Sequence, residues 1–332
     1  FPETYGGMGG DYFALCLAIE ELARADSSVA ITLEAGVGLG AMPIYRFGTE
    51  EQKQEWLPKL CAGQALGAFG LTEPAGGSDA GATRTRAELA DGEWVINGTK
   101  AFITNAGTRI SELVTVTAVT GERPDGKKEI SALLVPVPRP GFTAAPKYSK
   151  VGWHASDTRE LAFENCRVPE GNLLGGRGRG YANFLSTLDE GRIAISALAV
   201  GLAQACVDSS VAYAKERQSM GRAIGSYQAV AFRIADMEQR THVARLAYYD
   251  AAARMLAGRP FKKQAAIAKL YSSEIAVTNA RDATQIHGGY GFMNDYPVAR
   301  HWRDSKILEI GEGTSEVQRM LIARELGLPP SV

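Results

Sequence analysis

The stretch NLLGGRGRGY, residues 172–181, separates two kinds of sequence. Its closely spaced glycines suit neither a helix interior nor a strand interior, so the chain changes character here. On its N-terminal side, from about Gly67 to Val168, apolar residues come in short β-rich runs: GEWVINGTKAFIT (92–104), ELVTVTAVT (112–120), ISALLVPV (130–137) and RELAFENCRV (159–168). Gly, Pro, Asn or Asp bound each run at close spacing, the pattern of an antiparallel barrel or sandwich. On its C-terminal side the apolar period becomes 3.6 and stays so, over Ala182 to about Glu216, Tyr227–Ala257, Lys262–His287 and Val298–Leu326. Breaks fall at SMGRAIGS, AGRP and GGYGFMNDYP, where Gly and Pro stop helices. Four long helices with short connections predict an up-and-down bundle.

The residues ahead of the β region are helical. From Asp11 to about Ala25, Phe13, Leu15, Cys16, Ala18, Ile19, Leu22 and Ala23 recur at helical spacing, and two further stretches follow, roughly Ser28–Phe47 and Glu50–Cys61. The expected fold class is thus a multidomain α+β protein. It comprises an N-terminal helical domain (1–66), a middle antiparallel β-domain (67–170) and a C-terminal four-helix bundle (171–332). A length of 332 residues agrees with two or three domains, since single cores stop growing below that size.

Composition excludes several classes. Net charge is −1 and no segment concentrates Lys and Arg, so no nucleic-acid partner is expected. Cys16, Cys61, Cys166 and Cys206 form no CxxC pair, and His154, His242, His287 and His301 show no ligand spacing, so no metal is expected. No uninterrupted apolar run reaches the roughly 18 residues of a membrane span, and FPETYGGMGG lacks the pattern of a signal peptide.

Several motifs carry chemistry, each with a plainer alternative. GVGLGA (36–41) fits GxGxxA but lies inside a helical block without the preceding strand of a dinucleotide site, so close packing of small residues is the better reading. LTEPAGGSDAG (71–81) exposes backbone N–H groups and hydroxyls that suit phosphate or the polar edge of a ring; a simple turn would look the same. FITNAG (102–107) sets Phe102 and Thr104 on one strand face, able to cover a flat cofactor or merely to pack across strands. In LDEGR (188–192), Asp189 and Arg192 share a helical face, a surface ion pair being the plain reading. In GEGTSEVQRMLIARE (311–325), Glu312 lies between glycines beside a helix start; it suits a general base or a dipole-favoured acid.

In this order, the motifs resemble the acyl-CoA dehydrogenase family over nearly the whole chain. The resemblance rests on PETYGGMGG, GLTEPAGGSD, INGTKAFITNAG, DEGR, ERQSMGRAIGSYQ, QIHGGYGF, RDSKILEIGEGTSEVQR and IARE. It implies the same helical, β and bundle domains, a homotetramer, FAD as cofactor, an acyl-CoA substrate and electron-transferring flavoprotein as acceptor. It also implies an oxidoreductase of fatty acid metabolism, cytoplasmic in the bacterial manner or, second, in a mitochondrial matrix.

Carried over by residue, the resemblance places the flavin ring against Phe69, Leu71, Thr72, Phe102, Ile103 and Thr104. Arg217 matches a pyrophosphate ligand; Gln228, Gln285 and Gly289 match contacts to a partner subunit's adenine half; Thr314 and Glu316 match a further cofactor segment. Ser78 matches a cofactor- and substrate-side position, and Asp189, Arg192, Gly313 and Arg324 match substrate-side ones. Glu312 matches the catalytic base, required because a thioester α-proton is only weakly acidic. Relatives that keep the base just before the arginine of DEGR would need it at Gly191, which cannot act, and Glu190 points about 100° away on a helix. That favours Glu312 and leans toward a straight short- or medium-chain acyl group. The family has helices ahead of PETYGG, so the first domain is expected to be truncated. Met220 stands where relatives often carry Phe. An oxidase or monooxygenase on the same scaffold and a non-catalytic paralogue are the competing readings.

Overall fold

The computed structural model describes residues 1–329. Helix α1 (Tyr12–Ala25) starts where Asp11 accepts from the Ala14 N–H at 2.9 Å and buries Cys16, Ile19, Glu20 and Ala23, one stripe of a 3.6-period helix. The expected single helix over 28–47 is unbroken but not uniform. An α-helix, α2 (Ser27–Glu34), widens into a π-helical stretch over Ala35–Ala41 and returns to α-geometry in α3 (Met42–Phe47). Helix α4 (Glu50–Cys61) opens with a reciprocal Thr49–Gln52 capping box.

The β region has strands β1 (Leu66–Gly70), β2 (Arg86–Ala90), β3 (Glu93–Thr104), β4 (Ser111–Glu122), β5 (Lys128–Pro136), β6 (Phe142–Ala144), β7 (Thr158–Pro169) and β8 (Leu173–Leu174). They form one sheet in the order β6-β7-β3-β2-β4-β5-β8. Pairing is mainly antiparallel as expected, but β1 lies parallel to β4 and β2 meets β4 in parallel at one point. The sequence runs do not encode strand direction, because a strand buried on both faces reads the same either way.

After the glycine-rich stretch come α5 (Gly180–Glu216), a two-residue hairpin of β9 (Gln218–Ser219) and β10 (Arg222–Ala223), α6 (Gln228–Leu256) and α7 (Lys262–His287). The expected fourth helix is divided. It forms α8 (Val298–Ser305), a 3₁₀ turn (Lys306–Glu309), an irregular turn, and α9 (Ser315–Glu325). Glu312 and Gly313 have φ of +54° and +93°, which a right-handed helix cannot accommodate. Thr314 then caps α9 by accepting from the Val317 N–H at 3.3 Å.

The chain forms two compact units. Unit 1 comprises residues 1–10, 32–149 and 156–190. Here β4 sends Val114, Val116 and Ala118 into one apolar cluster and Leu113 into another, while β5 sends Leu133 and Val135 to the first and Ala132 and Leu134 to the second. By the two-residue period these are opposite sheet faces, so both strands are covered twice. The second cluster holds Ile44, Trp56, Leu57 and Phe184. The GVGLGA segment packs as small residues should: a Cβ on Gly40 would fall 2.6 Å from the Gly67 carbonyl oxygen.

Unit 2 comprises residues 11–31, 150–155 and the chain from Gly191 on. Its core is rich in fully buried alanines, among them Ala194, Ala203, Ala251, Ala266 and Ala280. Two buried carboxylates here are satisfied: Glu20 accepts from Arg245 Nε at 2.7 Å and from the Tyr248 hydroxyl, and Asp304 accepts from the Trp153 N–H at 2.7 Å and Ser27 Oγ at 3.0 Å. Although charged residues interrupt both, residues Ser27–Phe47 and α5 are by length and mean hydropathy apolar enough to cross a membrane. Yet 67% and 83% of those windows are buried inside the protein, which makes them core helices.

Candidate functional site

In unit 1 the segment after β1 is held by charge. Lys100 is fully buried and donates to the Leu71 carbonyl oxygen at 3.2 Å, Glu73 Oε1 at 2.8 Å and Thr117 Oγ1 at 3.1 Å. Glu73 in turn accepts from the backbone N–H groups of Arg84 (2.7 Å) and Thr85 (3.0 Å). Burial pulls the Lys100 pKa down to about 8 although Glu73 opposes the shift. Thr72 is fixed by its carbonyl, which accepts from the Ala101 N–H at 2.9 Å. Leu71 is buried, and the Phe69 ring stacks on Phe184 with centroids 3.9 Å apart. Ser78 lies exposed in the turn beyond.

Strand β3 slips register between Lys100 and Ile103. At that bulge Phe102 takes φ +60°, is 66% exposed and rests tilted on Tyr148 at 5.4 Å. Ile103 is buried and Thr104 half-exposed, so the alternation expected for FITNAG holds at the side-chain level, while the bulge re-aims Phe102. A left-handed aromatic held out from a strand is strained and points to a functional demand. Asp189 and Glu190 are buried, and Arg192, in unit 2, is buried too. The plain reading of LDEGR as a surface pair is therefore wrong, because this part of α5 lies inside the protein. Glu190 pairs with Arg46, yet burial raises its pKa to about 7, with Asp189 adding to the shift.

In unit 2 the turn carrying Glu312 is held from two helices. Lys269 of α7, fully buried, donates to the Gly313 carbonyl oxygen at 2.7 Å. Gln318 of α9, also fully buried, donates Nε2 to the same oxygen at 2.9 Å and approaches the Glu312 carbonyl oxygen at 3.5 Å. Burial lowers the Lys269 pKa to about 8, Arg192 lowers it further, and Glu312, Glu309 and Glu316 oppose the shift. Thr314 and Glu316 line a cleft of about 240 Å³ with Glu274, Lys306, Glu309 and Arg319. Arg324 is exposed near the end of α9 and lines neither cavity described here.

A second cavity, about 580 Å³, brings Arg217 and Gly289 together with Tyr213, His287 and Tyr290. His287 stacks on Tyr213 at 4.2 Å and is kept below its ordinary pKa by burial. The Arg217 guanidinium lies over the Tyr290 ring at 5.8 Å, and among the described residues no carboxylate forms an ion pair with it. Gln228 begins α6 and Gln285 sits in the last turns of α7; both are exposed outside this cavity. Met220 is 93% exposed at the tip of the hairpin.

Sequence reasoning missed the residues that hold these segments: Lys100, Glu73, Lys269 and Gln318. A signal existed for the lysines. Lys100 shares parity with Trp94 and Ile96, both core residues of β3, and Lys269 follows Ala265, Ala266 and Ala268 on the buried side of α7. A charge at a core position needs a partner.

Family models describing the acyl-CoA dehydrogenase N-terminal, middle and C-terminal domains match residues 1–64, 68–166 and 178–327. A probable acyl-CoA dehydrogenase YngJ from Bacillus subtilis is 53% identical over 98% of this chain and 85% of its own length. A short-chain specific acyl-CoA dehydrogenase from Megasphaera elsdenii is 45% identical over 97% and 84%. Among solved structures, butyryl-CoA dehydrogenase from Megasphaera elsdenii has a TM-score of 0.94 at 44% identity, covering 98% of this chain and 85% of that one. The same values hold for a structure described as the electron transferring flavoprotein of Acidaminococcus fermentans. An acyl-CoA dehydrogenase from Bacillus anthracis complexed with FAD has a TM-score of 0.91 at 34% identity, covering 98% and 58%.

Proposed function

Because the chain belongs to the acyl-CoA dehydrogenase family of oxidoreductases, we propose that it oxidises a short straight-chain acyl-CoA to the trans-2-enoyl-CoA, with Glu312 as base. The observation that carries this reading is the held turn ahead of α9, where a carboxylate sits in a left-handed conformation between glycines. Glu312 removes the α-proton. Its backbone N–H donates to the thioester carbonyl, stabilising the enolate-like charge that develops as the proton leaves. Closure over the thioester expels water and raises the carboxylate pKa, making a stronger base. Asp189, Arg192, Gly313 and Arg324 bind the CoA and acyl portions, with Ser78 at the open turn.

FAD supplies the acceptor for the β-hydride when bound. Two observations support it: the strained, exposed Phe102, whose ring can cover a flat cofactor, and the cavity presenting Arg217 to a pyrophosphate. Phe69, Leu71, Thr72, Ile103 and Thr104 complete the ring side, and Ser78, Thr314 and Glu316 contact the cofactor further along. Gln228, Gln285 and Gly289 serve the adenine half bound by a neighbouring subunit of a homotetramer. Electron-transferring flavoprotein takes the electrons, in the cytoplasm of a bacterium and within fatty acid degradation. The three functional parts divide near residues 66 and 170.

Anaerobic titration of the FAD-loaded protein with acyl-CoAs of increasing length tests this. Flavin bleaching should occur with short chains and fall by at least about 10²–10⁴-fold in Glu312→Gln, the range a general base contributes. A flavin that stays oxidised with every thioester would refute the proposal, and rapid oxygen uptake without an acceptor would mark an oxidase.

A further inference from the structure

We propose that Lys269 is a positioning residue for Glu312: its buried ammonium, bound to the Gly313 carbonyl oxygen at 2.7 Å, holds the left-handed Glu312–Gly313 turn and sets a cation against the backbone that carries Glu312. This rests on the reading of Glu312 as the base. The turn needs such a holder. Glu312 at φ +54° occupies a region unfavourable to a non-glycine residue, so surrounding contacts must impose it. Two donors converge on the one carbonyl that follows it, Lys269 Nζ from α7 and Gln318 Nε2 from α9. A Cβ on Gly313 would meet Gln318 Nε2 at 2.7 Å, so the turn and its clamp fit only with glycine there.

Of the two donors, only Lys269 is charged. A neutral amide would satisfy the carbonyl equally well, so the choice of an ammonium at a fully buried point calls for an electrostatic reason. The charged groups facing it are Glu312 in the turn, Glu309 in the preceding 3₁₀ segment, Glu316 on α9 and Arg192 on α5. Glu316 is exposed, which weakens its hold through solvent. Lys269 bonds a backbone oxygen, unlike Lys100, which bonds a carboxylate directly, so among the described residues no hydrogen-bonded carboxylate cancels the Lys269 charge. A cation nearby favours the ionised form of a carboxylate, which is the form a base needs at neutral pH. Burial brings Lys269 itself down only to about 8, which leaves it charged there.

The test compares FAD-loaded wild type, Lys269→Met, Lys269→Arg and Glu312→Gln. The anaerobic rate of flavin bleaching by butyryl-CoA is followed from pH 5.5 to 9. Lys269→Met should lower the rate roughly ten- to a hundredfold, as a small misplacement of a reacting group does. It should also move the acid limb of the profile upward by about one unit, a tenfold effect. The sign follows because loss of the cation makes Glu312 easier to protonate. Lys269→Arg should recover the position of the acid limb. A merely structural lysine would lower FAD content or Tm without moving that limb. If Lys269→Met loses FAD, Lys269→Gln, which keeps a donor for Gly313, is judged by the same limb. An unmoved acid limb and wild-type rate, with Glu312→Gln inactive, overturn the role of Lys269. Retained bleaching in Glu312→Gln instead overturns the base assignment.

Discussion

Among the described residues each compact unit buries one lysine completely, and the two lysines meet different partners. Lys100 in unit 1 meets a carboxylate, a hydroxyl and a carbonyl, and its partner Glu73 is itself bound by two backbone N–H groups. That is a closed network, with the charges cancelled where they lie. Lys269 in unit 2 holds a backbone carbonyl that a second donor also holds, and the carboxylates around it belong to other segments. The same residue type, equally buried and with its pKa lowered to about 8 in both places, gives a loop its shape in one unit and clamps the Glu312–Gly313 turn in the other. On the proposed role of Lys269, the pattern of partners, rather than burial, separates structural from functional charge.

This contrast is open to measurement. The largest effect on stability should come from Lys100→Met, which leaves Glu73 buried with no cation. Breaking one side of a buried pair costs about 3–5 kcal/mol, so the melting temperature should fall by roughly 10 °C, at about 2–4 °C per kcal/mol for a chain of this size. Lys269→Met removes one of two donors to a single carbonyl and should cost about 1–3 kcal/mol. Equal losses in the two variants would erase the distinction drawn between the lysines.

The two units should also differ in how acid affects them. Glu190 in unit 1 has its pKa raised from 4.5 to about 7, so the folded state keeps a proton that the unfolded state has released between those values. Stability from this group falls as pH rises through that window and is flat above it. His301 in unit 2 has its pKa lowered by burial from 6.5 to about 4, so its contribution is lost as pH falls from 6.5 toward 4. Glu190→Gln should therefore gain on wild type as melts are taken from pH 4.5 to 7, by at most ~1.4 kcal/mol per unit. A constant difference across that range would remove Glu190 from the account.

The smallest effect should come from a pair that is neither closed nor functional. Arg24 and Asp208 in unit 2 lie 2.7 Å apart with 47% and 41% of their side chains exposed. Asp208→Asn should shift stability by roughly 0.2–1 kcal/mol, less at high salt. A loss as large as that of Lys100→Met would mean that distance alone, rather than burial, sets the worth of these pairs.

The order of helical, β and helical segments was legible in the sequence, because the period of apolar residues changes from 3.6 to 2 and back as the chain's exposed and buried faces alternate. So was the place of Glu312 beside a helix start, just ahead of α9, since glycines on both sides leave the backbone no regular structure to join. The small-residue reading of GVGLGA was also legible, from the lack of a strand ahead of it. Other features required the folded chain. The parallel pairing of β1 with β4 joins segments about 45 residues apart, and nothing local encodes strand direction. The bulge at Phe102, the burial of Asp189 and Arg192 and the division of the last helix arise from packing between distant segments. The two lysine clamps are the clearest case. A lysine at a core position in sequence announces only that a partner is needed; which groups meet it depends on elements tens of residues away, and only the tertiary structure supplies them.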